Sequence, residues 1–344
     1  MGHSTEMTTA HRIRAVLPRP ALAFISGPLL GLIGVLALFI ILIGLKGELA
    51  QFLSLRNLQV LVHEATIPAV VALGALLVII SGGIDLSVGS VVALVTVVAM
   101  QVYRALYEGG ATAFPSWAAA ACGMAAGGVC GLVNGLVITG LKVPPFVATL
   151  GMLSIARGLA VWLSGRRTIA FPGPDPDWVK AFNQVHPPVV VFNAGFWSLA
   201  LLAVAAIVFL RFTVWGRYTY AIGSNEATAR LCGVPIARMK VVIYTLAGLL
   251  AGWAGIVHLA HGTSGDPSAA VGLELEVIAA VVVGGASLNG GRGTVLGTLL
   301  GVLILGVLAN GVNVYNVPIE VQYILIGLII IGNTALSQWR SREQ

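Results

Sequence analysis

Two polar stretches interrupt an otherwise apolar sequence, and both hold residue types that can do work. The first is Ser81-Gly82-Gly83-Ile84-Asp85-Leu86-Ser87-Val88-Gly89-Ser90. Two glycines and an acid break an apolar run. Asp85 is placed to cap the N-terminus of a helix starting near Leu86, because its oxygens accept the orphan backbone N–H groups found there. The plain use of such a turn is helix capping. The same turn can also line a route through a membrane, since irregular backbone persists at membrane depth only where protein or a wet cavity covers it. The second stretch lies within 214–240. Ser224 can cap, Glu226 sits in a first turn, Gly233 follows a last turn and Pro235 blocks continuation. Together they predict a helix of about two turns. So short a helix cannot bury itself. It either lies on the surface of a larger body or docks with a partner.

Other titratable residues have plainer readings. Arg157 stands inside an apolar segment; such a charge faces a bundle interior or water, satisfied by carbonyls or by snorkelling. Glu274 and Glu276 precede another apolar segment and read as interfacial. His258 and His261 end a segment near Asp266, and His63-Glu64 is a similar pair. A proton relay or metal site is one reading there, and hydrogen-bonded interface histidines are the simpler one. The sequence has no GxxxxGK[ST], no Gly-Lys dipeptide, no GxSxG and no HExxH. It therefore lacks the usual phosphate loop, nucleophile elbow and zinc-protease helix. Cys122, Cys130 and Cys232 are odd in number with no CxxC, which favours neither a disulfide framework nor a zinc site. Cys122 and Cys130 read as small helix-packing residues. No catalytic residue, no metal ligand and no cofactor of its own are expected.

The elements that position these residues are membrane helices. Of 344 residues, 58% are hydrophobic and 9% charged, against roughly 25% charged in soluble domains. The net charge of +6 is spread over loops with no basic run of five, so no nucleic acid is expected as a partner. A spanning helix needs about 20 mainly apolar residues. Ten candidates stand at 22–45, 62–80, 87–105, 116–140, 145–164, 196–213, 241–261, 272–286, 294–314 and 319–336. The second and eighth have short apolar cores and read as possible half-helices. The first is 24 residues long, beyond the roughly 7–15 of a cleavable signal, and reads as an uncleaved span. The expected fold is an all-α polytopic membrane bundle of about ten helices. It comprises a cytoplasmic tail at 1–20, a membrane domain at 21–336 and a cytoplasmic tail at 337–344. With the N-terminus inside, twelve Lys and Arg fall on the cytoplasmic side and six outside, in line with the positive-inside bias. The Pro-rich 165–195 loop then lies outside as an ordered cap, and 214–240 lies inside.

A faint internal echo is present. Val78-Ile-Ile-Ser-Gly-Gly-Ile-Asp-Leu-Ser87 is similar to Val281-Val-Val-Gly-Gly-Ala-Ser-Leu-Asn289, and Asn134-Gly135 before Val143-Pro144 matches Asn310-Gly311 before Val317-Pro318. An inverted internal repeat, common in transporters with glycine-broken helices, is one reading of it.

The turn at 81–90 resembles the signature turn of the ribose/xylose-type permease subunits of ABC importers. So do Gly131-Leu-Val-Asn-Gly-Leu-Val-Ile-Thr139 with Val143-Pro-Pro-Phe-Val-Ala-Thr-Leu-Gly151, Gly223-Ser-Asn-Glu-Ala-Thr-Ala-Arg-Leu-Cys-Gly-Val234, and Gly284-Gly-Ala-Ser-Leu-Asn-Gly-Gly-Arg-Gly293. The four motifs stand in family order across about residues 25–335. The resemblance implies import of a monosaccharide by alternating access across the inner membrane of a bacterial cell. It implies that Ser224, Asn225, Glu226, Ala227, Arg230 and Gly233 form a coupling helix docked on a separate ABC ATPase subunit, with the Glu226 charge facing a basic groove there. Gly82, Gly83, Asp85, Ser87, Asn134, Gly284, Gly285 and Asn289 would belong to the translocation path or a gating turn. The implied partners are that ATPase, which would hold ATP and magnesium, an external solute-binding protein, a second permease subunit (the same or different) and membrane lipid. The rivals are a secondary transporter working without an ATPase, or a permease of the same family for a nucleoside or a sugar-derived signal.

Overall fold

The structure, a computed structural model, describes residues 19–109, 115–183 and 192–315, together with positions 321, 324, 327 and 328. The expected tails, except for residues 19 and 20, lie outside the described residues, as does the span 319–336 apart from those four positions. Eight described helices are long and apolar enough to cross a membrane. They are α1 (Arg19–Lys46), α3 (Leu55–Ile80), α4 (Val88–Glu108), α5 (Pro115–Gly140), α6 (Pro145–Leu163), α8 (Ala194–Phe212), α11 (Ile236–Gly262) and α13 (Val295–Val314). Shorter helices lie between them: α2 (Leu49–Phe52), α7 (Asp177–Asn183), α9 (Val214–Ser224), α10 (Glu226–Leu231) and α12 (Leu273–Val283). The chain is an all-α polytopic membrane bundle.

The two weak spans resolve differently. α3 is full length, starting at Leu55 because the Ser54 hydroxyl accepts the Asn57 N–H at 3.1 Å. Its first turns carry Arg56, His63 and Glu64, which hide the helix from a hydropathy reading. α12 has 11 residues, a rise of about 16 Å, half of a bilayer core of about 30 Å. Before it comes the segment 263–272, a two-residue strand at Ser264–Gly265 followed by irregular turns. Arg157 of α6 donates to the carbonyls of Pro267 and Ala269 at 2.8 and 2.9 Å. The Asp266 N–H donates to Thr96 Oγ1 of α4 at 3.1 Å. Arg157 is thus carbonyl-satisfied. Glu274, expected to be interfacial, lies half-buried beside Gly89 in the first turn of α4.

The centre of the bundle is α3, α4, α5 and α11. The α5 glycines 123, 127, 131 and 135 recur every four residues. A methyl group at Gly127, Gly131 or Gly135 would strike the backbone of α11. The two helices therefore pack backbone to backbone, the small-residue mode of membrane helices. Cys130 is buried in this region, while Cys122 on the same helix is exposed, so only one of the two acts in packing.

The 165–195 loop caps the end of the bundle away from α10, as far as it is described. Its strand β1 (Ile169–Ala170) pairs antiparallel with β2 (Ser264–Gly265), and Asn183 Nδ2 donates to the Ala260 carbonyl at 2.6 Å. Near this end His63 stacks on His261 with centroids 3.6 Å apart, and the His63 Nδ1 meets Asn193 Nδ2 at 2.7 Å. The 214–240 stretch is more ordered than the sequence suggests. It holds α9, capped by Thr213 on the Gly216 N–H at 3.1 Å, then α10, then the first turn of α11.

Candidate functional site

The glycine-rich stretches meet at the end of the bundle that carries α10. α3 stops in a glycine turn: Gly82 N–H donates to Ile79 O and Gly83 N–H to Val78 O, each at 3.0 Å. Gly82 has φ +81°, a left-handed conformation that only glycine adopts without a penalty. Gly285 and Ala286 close the end of α12 through the same pair of bonds, to Val282 O and Val281 O at 2.9 and 3.1 Å. Between these stops sits Gly223 near the end of α9. A methyl group on Gly223 would run into the Ile80 carbonyl and the Gly291 amide nitrogen, and one on Gly290 would meet Gly223 and Gly82. The Gly291 N–H donates to the Ile80 carbonyl at 2.8 Å. Three stretches distant in sequence are thus stitched mainly through backbone, with one side-chain bond from Tyr220 Oη of α9 to the Gly293 carbonyl at 2.8 Å.

One layer deeper lies a buried polar cluster. Asp85 Oδ1 accepts from the Ser87 N–H at 2.8 Å and from Ser87 Oγ at 2.6 Å. Asn134 Nδ2 of α5 donates to Ser87 Oγ at 3.1 Å. All three residues are buried. Asp85 does not cap a helix at Leu86. α4 starts at Val88 with Ser87 in the cap position, so Asp85 stands two residues further out and holds an Asx turn. Its oxygen reaches the N–H two residues on, as such side chains readily do. Thr149 of α6 completes the cluster, accepting the Leu86 N–H at 3.2 Å and donating to the Pro145 carbonyl at 3.0 Å.

α10 is held at both ends. Its N-cap is Asn225, whose Oδ1 accepts the Thr228 N–H at 2.9 Å; Ser224 instead ends α9, contrary to the cap expected from the sequence. At its C-terminus Gly233 has φ +81°, and Gly233 and Val234 donate to Arg230 O and Ala229 O at 3.0 Å each. Ala229 is the buried foot of the helix, while Leu231 is 89% exposed; Ala227 is exposed as well. Glu226, its side chain part-exposed, is paired within the chain. Its carboxylate oxygens accept from Lys240 Nζ of α11 at 2.7 Å and from Arg230 at 3.1 Å. The Lys240 hydrogen bond, then the charges of Lys240 and Arg230, hold its carboxyl below the usual carboxylate range despite some burial.

The predicted site residues therefore fall into three groups. Gly82, Gly83, Ser224, Asn225, Glu226 and Asn289 line one cavity of about 300 Å³. Asp85, Ser87 and Asn134 form the buried cluster behind it. Gly284 packs against the Gly297 backbone of α13 and Gly285 turns the chain, while Ala227, Arg230 and Gly233 belong to the outer part of α10. Sequence reasoning missed Thr149, Gly223, Gly290, Lys240 and Tyr244. The glycines carried a signal, Gly223 standing within the second polar stretch and Gly290 within the glycine-rich 284–293 motif; Lys240 and Tyr244, on an apolar helix, carried none.

Residues 58–333 match the family described as branched-chain amino acid transport system / permease component. The chain is 36% identical over 294 residues to a ribose import permease protein of Escherichia coli K12, covering 85% of this chain and 89% of that protein. It is 36% identical over 315 residues to a fructose import permease protein of Rhizobium meliloti, covering 91% and 84%. It is 33% identical over 312 residues to an L-arabinose ABC transporter permease protein of Azospirillum brasilense, covering 90% and 88%. No solved structure matches the chain.

Proposed function

The chain belongs to this permease family and is a multi-pass protein of the inner membrane, and from that premise we propose that it is the transmembrane subunit of an ATP-driven importer of a monosaccharide. The sugar class follows the names of the relatives, which concern ribose, fructose and L-arabinose. ATP and magnesium are held by a separate ATPase subunit. An external binding protein delivers the sugar, and a second permease subunit completes the pathway.

The observation that carries this reading is α10. A six-residue helix fastened by caps at both ends, anchored by buried Ala229 and presenting Leu231 outward has the form of a rigid knob. An exposed leucine on a clamped helix suits an apolar socket on a partner better than it suits water. The Glu226–Lys240 ion pair ties that knob to α11, and the glycine junction ties its base to α3 and to the 284–293 loop. A push on α10 by ATPase closure is therefore transmitted to several helices together. In this reading Glu226 acts as a staple inside the permease, and Leu231 makes the contact.

The test is reconstitution with the cognate ATPase and binding protein. Leu231→Glu and Gly233→Val leave the apolar bundle untouched. Both should reduce recovery of the ATPase in detergent pull-downs and abolish sugar-stimulated ATP hydrolysis. Normal copurification and transport by both variants would remove α10 from the mechanism. Sugar flux through the permease alone, without an ATPase, would favour a secondary transporter instead.

A further inference from the structure

The cavity at the α10 end has a feature that the coupling role does not use. Tyr244 of α11 is 1% exposed and its hydroxyl has no hydrogen-bond partner, yet the residue lines the cavity. The hydroxyl rests against Gly83, where a side-chain carbon would collide with it; the glycine makes room for it. A buried hydroxyl is costly to leave unpaired, so a ligand group that reached this one would gain a hydrogen bond. Most of the rest of the lining is polar side chain or glycine backbone, with Pro145 and Ile222 as its apolar members. Ser224, Asn225 and Asn289 offer hydroxyl and amide groups, while Glu226 and Lys240 neutralise each other at 2.7 Å. A cavity of this kind has little to attract an ion and much to satisfy a neutral molecule rich in hydroxyls. Its volume of about 300 Å³ stands at the small end of ligand pockets, roughly 300–1,000 Å³, which suits a single sugar ring better than a nucleotide.

We propose that this cavity binds a free monosaccharide from the α10 side of the membrane and that its occupancy slows the transporter. The walls come from the 81–83 turn, the α9–α10 junction and the 284–293 loop, joined to α11. A ligand bridging them stabilises the arrangement in which they are together. It resists any step of the cycle that parts them, because a ligand shifts an equilibrium by its differential affinity for the two states. Imported sugar then acts as a brake on further import. This inference rests on the importer reading for its direction, and on the Tyr244 cavity for its site.

The experiment uses the complete importer in proteoliposomes with the ATPase facing outward and the binding protein and sugar in the lumen. D-ribose, D-fructose or L-arabinose is added outside at rising concentration, with sodium gluconate as the charged control. At least one of the three sugars should depress ATP hydrolysis, and gluconate should not. Tyr244→Phe keeps the ring and removes the hydroxyl. Measured against its own uninhibited rate, it should need about tenfold more sugar, equivalent to about 1.4 kcal/mol. Equilibrium dialysis of the purified permease alone against the same radiolabelled sugars reads the site directly and does not depend on the variant. Binding that Tyr244→Phe weakens supports the site. If none of the three sugars binds the permease and none added outside slows an importer that lumenal sugar still stimulates, the cavity holds only water and the brake does not exist. Failure of lumenal sugar to stimulate ATP hydrolysis at all would instead sink the importer reading, and dialysis would still decide the site.

Discussion

The turns after α3 and after α12 stop their helices in the same way and then part company. Each uses the same pair of backbone bonds around a left-handed glycine, Gly82 or Gly285. Beyond Gly82 the chain is held by side chains: Asp85, Ser87 and Asn134 share one buried network, and Thr149 holds the Ile84 carbonyl and the Leu86 N–H beside it. Beyond Gly285 it is held mainly by backbone: Gly290 N–H to Ser287 O at 2.9 Å, Ser287 N–H to Arg292 O at 3.1 Å, and the close approaches of Gly284 to Gly297 and of Gly290 to Gly223, with one side-chain bond, Tyr220 Oη to the Gly293 carbonyl at 2.8 Å. The first turn is therefore open to failure when a functional group is removed as well as when atoms are added at Gly83, and the second chiefly when atoms are added. Similar sequences with similar stops have different vulnerabilities. The likeness also stops at the turns. α3 and α12 end at the same face of the bundle, whereas Asn134 lies toward that face and Asn310, bonded to Asn57 at the start of α3 at 2.9 Å, lies toward the other.

The largest effect expected from this contrast is at Asp85. Asp85→Leu strands the Ser87 N–H and hydroxyl, at about 1–3 kcal/mol for each buried orphan. Folded yield in detergent and transport should both collapse. Asp85→Asn keeps an acceptor oxygen and should retain much of both. Equal behaviour of the two variants would mean that the network does not hold the turn. Next comes Gly284→Val, which adds atoms where the Gly297 and Thr298 backbones already press. Overpacking of this kind costs about 1–3 kcal/mol and should lower the thermal midpoint, whereas Ser287→Ala in the same loop should leave it in place. The smallest effect is at Glu226. As a part-exposed ion pair it contributes about 1 kcal/mol or less, so Glu226→Gln should loosen α10 slightly at neutral pH. Its carboxyl titrates below the usual range in the folded protein. The contribution is therefore present above the ordinary carboxylate pKa and is lost as pH falls through the lower folded value. Hydrogen exchange at α10 should differ between the parent and Glu226→Gln at neutral pH, and the difference should close as pH falls through the lowered pKa of the folded carboxyl.

Most of the bundle was legible because apolar length is a one-dimensional signal, and each long helix carries its own. The misreadings share a physical cause. Ser224 and Asn225 are both good caps, and the choice between them is made by α9, which runs on through Ser224 because Thr213 starts it earlier. An aspartate near a helix start can satisfy either a first-turn N–H or the N–H two residues on, so Asp85 alone could not say which. The start of α3 was hidden by Arg56, His63 and Glu64, charges that a hydropathy reading treats as loop. The convergence of residues 82, 223 and 290 is a property of three backbones meeting, and no local pattern encodes it. The coupling stretch was readable in outline, but the pairing of Glu226 with Lys240 required the position of α11.

The half-length of α12 bears on how the protein is made. Eleven residues preceded by irregular backbone are a poor stop for a chain being threaded into a bilayer. α12 instead lies against α13 as an antiparallel hairpin, with Gly301 under the Ala280 carbonyl and Gly284 against Gly297, so the pair can enter as one unit. The 263–272 segment can be sheltered from lipid only after Arg157 and Thr96 are in place to receive it. The fold of this segment therefore depends on α4 and α6, two helices that precede it in the chain.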